Sequence, residues 1–223
     1  MPAAPPPEVL VTFIPDGGDR QADHAALLDL AARCAETTMT RLEQRCPRCD
    51  SPDHGPLRVA AAAETAASLV HVSLSRTGGW VALAATTAAP VGVDLESLAA
   101  AGAAPFDDVA FTDDEIRALA ALPRHTADRM RVTAWTAKEA ILKAHRTGLL
   151  TDPRLLTLDF AAPSAPVDPG STTTAVRLAR SSVPGVAPST TTVIGLPTPT
   201  PADLIATLAL LCAPTPSIRI TLL

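Results

Sequence analysis

The segment Val91-Gly-Val-Asp-Leu-Glu96 sets two carboxylates two residues apart in a β-branched run. Side chains alternate along a strand, so Asp94 and Glu96 share one face while Val91, Val93 and Leu95 share the other and can fill a core. Two carboxylates side by side repel each other unless a cation joins them. An all-oxygen donor set suits a hard ion such as Mg²⁺. Asp-x-Glu is a common pattern, and taken alone it is met more simply by a strand end whose polar side faces water.

A second stretch, Trp135-Thr-Ala-Lys-Glu-Ala-Ile-Leu-Lys143, has helical spacing. At 100° per residue, Met130, Ala134, Ala137, Ile141 and Ala144 fall on one face. Thr136, Glu139, Lys143 and Arg146 fall on the opposite face, bordered by Trp135 and Leu142. Glu139 and Lys143 are an i,i+4 pair in the favoured order, which describes an ordinary surface helix with one ion pair. The bordering Trp and Leu describe instead a polar face that is partly covered, and a covered carboxylate and ammonium belong to a site. The residues leave both readings open.

Arg outnumbers Lys 16 to 2, and the two lysines are Lys138 and Lys143. In a chain that uses arginine wherever charge alone matters, a surviving lysine can mark a need for a compact ammonium. With only two lysines, chance competes with that account.

Gly92-Val-Asp-Leu-Glu96 followed by Trp135-x-x-Lys138-Glu139-Ala140-x-x-Lys143 resembles the two signature motifs of the 4′-phosphopantetheinyl transferases. The connecting Phe111-Thr-Asp-Asp-Glu115 matches in position, and Val72-Ser-Leu-Ser-Arg-Thr-Gly-Gly-Trp80 resembles an earlier motif of that family. At this length the chain is similar to the two-lobed, surfactin-synthetase (Sfp-like) type. The shorter, single-lobed carrier-protein synthases trimerise, whereas a monomer is expected here.

The resemblance implies transfer of the 4′-phosphopantetheine arm of coenzyme A to a serine of an apo acyl or peptidyl carrier protein, releasing adenosine 3′,5′-bisphosphate. Such carriers serve polyketide or nonribosomal peptide biosynthesis. It implies Asp94, Glu96 and Glu139 as Mg²⁺ ligands and coenzyme A as co-substrate. Glu139, or a metal-bound water next to it, would take the serine proton. Lys143 would hold phosphate as a point charge, and Lys138 and Trp135 would position the helix and line the site. Ser75 and Arg76 fall where the family binds coenzyme A, with Arg76 replacing its histidine. The family's Gly-Lys-Pro lysine is absent from His54-Gly-Pro-Leu-Arg58, where Arg58 is the substitute. The first glycine of Gly-x-Gly-Leu after the helix is replaced by Arg146. The alternative function is a non-catalytic coenzyme A or carrier-protein binder on the same fold.

These residues need elements to hold them. Strands are expected at 9–14, 58–63, 69–74, 80–85 and 90–96, with a turn at Arg76-Thr-Gly-Gly79. A helix is expected over 23–43. Thr112 and Glu115 form a capping box that starts a helix running to about 122, and a longer helix follows over 126–146, stopped by Gly148. Strand-like pieces at 173–179, 190–196, 204–211 and 218–223 close the chain. The fold class is α+β. The resemblance implies two similar α/β lobes with a pseudo-twofold relation, here 1–102 and 103–223.

The chain has 223 residues and a formal net charge of −5, which suits one large domain or two small lobes at about 150 residues per domain. With 3% aromatic residues and no Tyr, it lacks the basic stripe and stacking platform of a nucleic-acid binder. Its longest apolar runs fall short of the roughly 18 residues of a membrane span. The Pro-rich start, expected to be disordered over 1–7, has no basic n-region or apolar h-region, so a cytoplasmic location is expected.

The four cysteines are read as reduced thiols. Cys46-Pro-Arg-Cys49 with His54 admits zinc, with Cys34 as a conceivable fourth ligand, but one C-x-x-C without a second pair more simply describes a loop dithiol. His71, within an expected strand, is read as structural. Arg117, Arg124, Arg129 and Arg131 are a candidate docking region for an acidic carrier, or else ordinary solvated helix charge.

Overall fold

The computed structural model describes residues 8–61, 70–99, 106–160, 176–200, 203–212 and 219–222. In chain order these contain β1 (Glu8–Pro15), α1 (Arg20–Ala35), β2 (Met39–Gln44), β3 (Leu57–Ala61), β4 (His71–Thr77), β5 (Trp80–Thr86) and β6 (Val91–Ser97). There follow α2 (Asp107–Ala110), α3 (Asp113–Ala120), α4 (Arg124–Ala144), β7 (Leu156–Phe160), β8 (Val176–Ser181), β9 (Thr192–Leu196), β10 (Leu204–Leu210) and β11 (Arg219–Leu222). The architecture is mixed α+β, with several small sheets. The Pro-rich lead 1–7, the expected lobe boundary at 102 and the first residues of the strand expected at 173–179 lie outside the described residues.

The largest sheet has the order β11-β1-β5-β4. β1 runs antiparallel to β5 and parallel to β11. Leu27, Leu30 and Ala31 of α1 pack against Leu10, Val72, Val81 and Leu83 of this sheet. A second sheet, β6-β10-β9, is antiparallel throughout. Val91, Val93 and Leu95 of β6 join Leu204, Ala206 and Leu208 of β10 in a core shared with Val9, Val11, Ala82 and Ala84. The strand that carries Asp94 is thus fixed on its apolar side by both sheets.

The helix expected over 23–43 is a helix followed by a strand. Asp19 caps α1 by accepting from Gln21 N, and Glu36, in left-handed conformation at φ 50°, ends it. The chain then passes through Thr37 and Thr38 into β2, which pairs with β3. β-branched residues lose side-chain freedom in a helix and pack well on a pleated surface, so the switch falls where the threonines begin. β7 was not expected from the sequence; its Leu-Thr-Leu buries Leu156 and Leu158 by simple alternation. The turn expected at 76–79 is narrower. β4 continues through Thr77, and only Gly78 and Gly79, both left-handed, make the turn. Two consecutive residues with positive φ match the twist of a tight hairpin.

The capping box forms as expected. Thr112 Oγ1 accepts from Glu115 N, and Glu115 Oε2 accepts from Thr112 N. Pro123 precedes α4, whose residues from Thr136 to Leu142 are all buried. Both faces of this helix segment are therefore covered, as Trp135 and Leu142 suggested.

Candidate functional site: a carboxylate–lysine cluster beside a basic cavity

Gly92 sets the distance between β6 and α4. A Cβ on Gly92 would lie 1.9 Å from Ala140 O and 2.6 Å from Ala144 N, both backbone atoms of α4. Only a residue without a Cβ lets the helix approach this closely. Gly92, Asp94 and Glu96 alternate onto the face that α4 covers, and Thr136 Oγ1 fixes the helix to Thr207 Oγ1 of β10 at 2.8 Å. The apposition brings Lys143 Nζ to 2.6 Å from Asp94 Oδ1, 3.1 Å from Ser75 Oγ and 3.3 Å from Val93 O. Ser75 Oγ also donates to Asp94 Oδ1 at 2.9 Å. Trp135 Nε1 donates to Glu96 Oε1 at 3.3 Å.

Glu139 is buried, and its carboxyl is pushed up to about 7, first by burial and then by the charges of Asp94 and Glu96, with Lys143 opposing. Glu96 is raised by burial and by Asp94. The three carboxylates therefore share one electrostatic environment. Their oxygens are not drawn to within 4.8 Å of one another; among the described residues that spacing is met by Cys46, Cys49 and His54. Lys143 occupies one oxygen of Asp94. The other, Oδ2, is buried without a hydrogen-bond partner. An unsatisfied buried carboxylate oxygen within an all-oxygen set fits a hard divalent cation.

Four buried side-chain polar atoms among the described residues lack a partner: Asp94 Oδ2, Arg76 Nη2, Arg146 Nε and Thr191 Oγ1. The first three belong to one neighbourhood. Arg76, Arg146, Glu139 and Lys143 line a cavity of about 560 Å³, together with His24, His71 and the 46–49 and 54–57 segments. Arg76 Nε pairs with Asp23 of α1 at 2.6 Å, which leaves the far guanidinium nitrogen aimed elsewhere. Ser75, one residue earlier on β4, turns the other way, toward Asp94. Burial lowers the pKa of His71, with Arg146 adding to the effect, and burial followed by Arg76 and Arg20 lowers that of His24.

Arg58 is exposed on β3 and does not line the cavity. Arg146 does. It holds a left-handed conformation at φ 69° where the resembling motif has glycine, and its Nη2 donates to Leu57 O at 2.9 Å. Burial and then Arg58 lower its pKa. Sequence reading named Arg146 only as part of a polar stripe and as a lost glycine. The available signal was a cation at a position that favours residues able to adopt positive φ.

Lys138 is fully buried. Its ammonium contacts Glu115 Oε2 at 2.7 Å and Ala110 O at 2.8 Å, and lies over the Phe111 ring. Glu115 Oε1 also accepts from Leu158 N. The capping-box glutamate thus joins α3, α4 and β7, and Lys138 positions the helix rather than reaching the cavity. Phe106 packs against Trp135, with centroids 5.4 Å apart. Among the candidate docking arginines, Arg117 pairs with Asp114, and Arg131 pairs with Asp107 and Asp128.

In the 45–56 loop, Cys49 Sγ lies 3.3 Å from His54 Nε2. The amides of Cys49 and Arg48 point at the Cys46 sulfur and hold its thiol down at about 7. Cys34 is not part of this group. It sits on α1 against the core beneath the large sheet, where burial raises its pKa.

Residues 90–181 match the family model of the 4′-phosphopantetheinyl transferase superfamily. The matched stretch spans β6 to β8 and includes Asp94, Glu96, Glu139 and Lys143. No curated protein matches the chain. No helix among the described residues is long and apolar enough to cross a membrane.

Proposed function

We propose that this protein is a two-lobed, surfactin-synthetase-type 4′-phosphopantetheinyl transferase. It moves the phosphopantetheine arm of coenzyme A to a serine of an apo acyl or peptidyl carrier protein and releases adenosine 3′,5′-bisphosphate. The observation that carries the reading is a cavity lined by Arg76, Arg146, Glu139 and Lys143, in which Lys143 is paired with the buried Asp94 behind it. Such a site is polarised for a ligand that brings both phosphates and a hard cation.

The serine Oγ attacks the phosphorus that bears the pantetheine arm. The bond from that phosphorus to the oxygen of the adenosine 5′-phosphate breaks, and the electron pair leaves on that oxygen. Asp94, Glu96 and Glu139 would hold Mg²⁺, which would supply charge neutralisation at the diphosphate. Lys143 adds a fixed positive charge beside Asp94, and Arg76 and Arg146 donate to phosphate oxygens, Arg76 through its free end. The burial of Glu139 keeps its basicity near neutral pH, where it can take the serine proton. The pairing of Lys138 with Glu115 holds α4, and with it Glu139 and Lys143, in register. Division into lobes at 1–102 and 103–223, a monomeric state and a cytoplasmic location complete the proposal.

The test is incubation of the full chain with apo-carrier protein, coenzyme A and Mg²⁺, followed by mass spectrometry of the carrier. A gain equal to one phosphopantetheine is expected. Coenzyme A binding without any gain would make the chain a binder rather than a transferase.

A further inference from the structure

The loop between β2 and β3 holds two thiols and an imidazole in the order Cys46-x-x-Cys49-x₄-His54. One ligand atom from each lies within 4.8 Å of the others, and Cys49 Sγ is 3.3 Å from His54 Nε2. Sequence alone left a loop dithiol as the simpler description. The folded loop keeps both thiols free and brings the imidazole to them.

The arrangement is fixed by groups outside the three side chains. Cys46 N donates to Ser51 O, and Asp50 N donates back to Cys46 O, both at 2.9 Å, which closes a tight turn around the first sulfur. Asp50 completes the turn in left-handed conformation at φ 59°. On the return limb, Arg20 Nη1 donates to Asp53 O at 2.6 Å and Gln44 Nε2 to Gly55 O at 3.0 Å. Gly55, at φ 110°, lets the limb press against the first one: a Cβ there would lie 2.5 Å from Arg45 O. His54 is thus carried back to the two cysteines by contacts that any bland loop could dispense with.

We infer that Cys46, Cys49 and His54 form a binding site for zinc or a similar borderline-soft divalent ion. Two thiolates and one imidazole are a zinc donor set and a poor one for Mg²⁺. The site is therefore chemically distinct from the Asp94–Glu96–Glu139 cluster. Among the described residues no fourth His, Cys, Asp or Glu joins the group. All three ligands line the same cavity as Arg76, Glu139 and Lys143, so the fourth position is filled by water or by a ligand in that cavity. The ion ties the 46–54 loop into one wall of the cavity. The site is independent of the transfer reading: it exists whether or not the chain modifies a carrier.

The experiment uses the full chain, purified with a reductant and without chelator. Zinc per chain is measured, and the stripped protein is titrated with Co²⁺ while thiolate-to-cobalt absorption is followed. We expect one zinc per chain and a saturating Co²⁺ spectrum of tetrahedral thiolate type. Cys49 and His54 are exposed, so Cys49→Ser and His54→Ala keep the fold, checked by circular dichroism. Each should weaken Zn²⁺ binding by roughly 100-fold or more, since loss of a direct ligand exceeds loss of an outer-shell partner. Substoichiometric zinc in the reduced protein overturns the proposal. So does zinc content that is unchanged in both variants, or a Cys46–Cys49 disulfide that survives the reductant.

Discussion

Lys143 Nζ lies 2.6 Å from Asp94 Oδ1, although 49 positions separate the two residues in the chain. Ser75 Oγ contacts both. One ammonium therefore ties a hairpin strand, a sheet strand and the last turn of the longest helix. The other lysine, Lys138, is five residues earlier on the same helix and serves Glu115 instead. Replacing Lys143 by Arg keeps the charge but puts a planar, wider group among three acceptors arranged for a compact one. Carrier loading by Lys143→Arg is expected to fall roughly 10-fold or more. Kinetics equal to the parent would show that charge alone is required.

Glu139→Gln removes the proposed proton acceptor and cation ligand without changing shape. Carrier loading should fall by about 10²-fold or more, the lower end of what a positioned acid or base contributes. The fold should be retained by circular dichroism. Activity within a few-fold of the parent would remove Glu139 from the chemistry.

The same substitution should stabilise the metal-free protein at high pH. The Glu139 carboxyl titrates near 7 in the fold and near 4.5 when unfolded. Between those values the folded state holds a proton that the unfolded state has lost. Stability therefore falls as pH rises through this window, and the cost is complete above it, at about 3 kcal/mol. Gln carries no such cost. In EDTA, urea denaturation should find Glu139→Gln more stable than the parent at pH 8, with the difference shrinking toward pH 4.5. A difference independent of pH would show that Glu139 titrates normally.

Lys138 and Glu115 are 0% and 1% exposed at their side chains. Removing one partner leaves the other buried and unpaired, so Lys138→Ala should cost about 3–5 kcal/mol in urea denaturation. A cost below about 1 kcal/mol would mean that water or a shifted side chain replaces the lost ammonium.

Gly92→Ala tests the close approach of β6 and α4. The added Cβ meets backbone rather than a flexible side chain, so the helix must move away. Overpacking of this kind costs about 3 kcal/mol or more. Even where the variant folds, the shift separates Lys143 from Asp94, and carrier loading should fall with it. A stable and fully active Gly92→Ala would show that the approach is not needed.

The sequence alone carried the local rules. The capping box at Thr112 and Glu115, the alternation that puts Asp94 and Glu96 on one face and the length of α4 all follow from contacts within a few residues. The pairing of the two motifs was legible as a resemblance. Tertiary structure decided what depends on distant neighbours. The expected helix over 23–43 breaks because β3 offers a partner to the threonine-rich half. The roles of the two lysines separate because Glu115 and Asp94 lie on different sides of α4. Arg146, rather than Arg58, reaches the cavity because the chain beyond α4 turns left-handed there. The 46–54 loop becomes a cluster because Gly55, Gln44 and Arg20 fold it back. Spacing along a chain specifies which residues share a face, but only packing determines what that face meets.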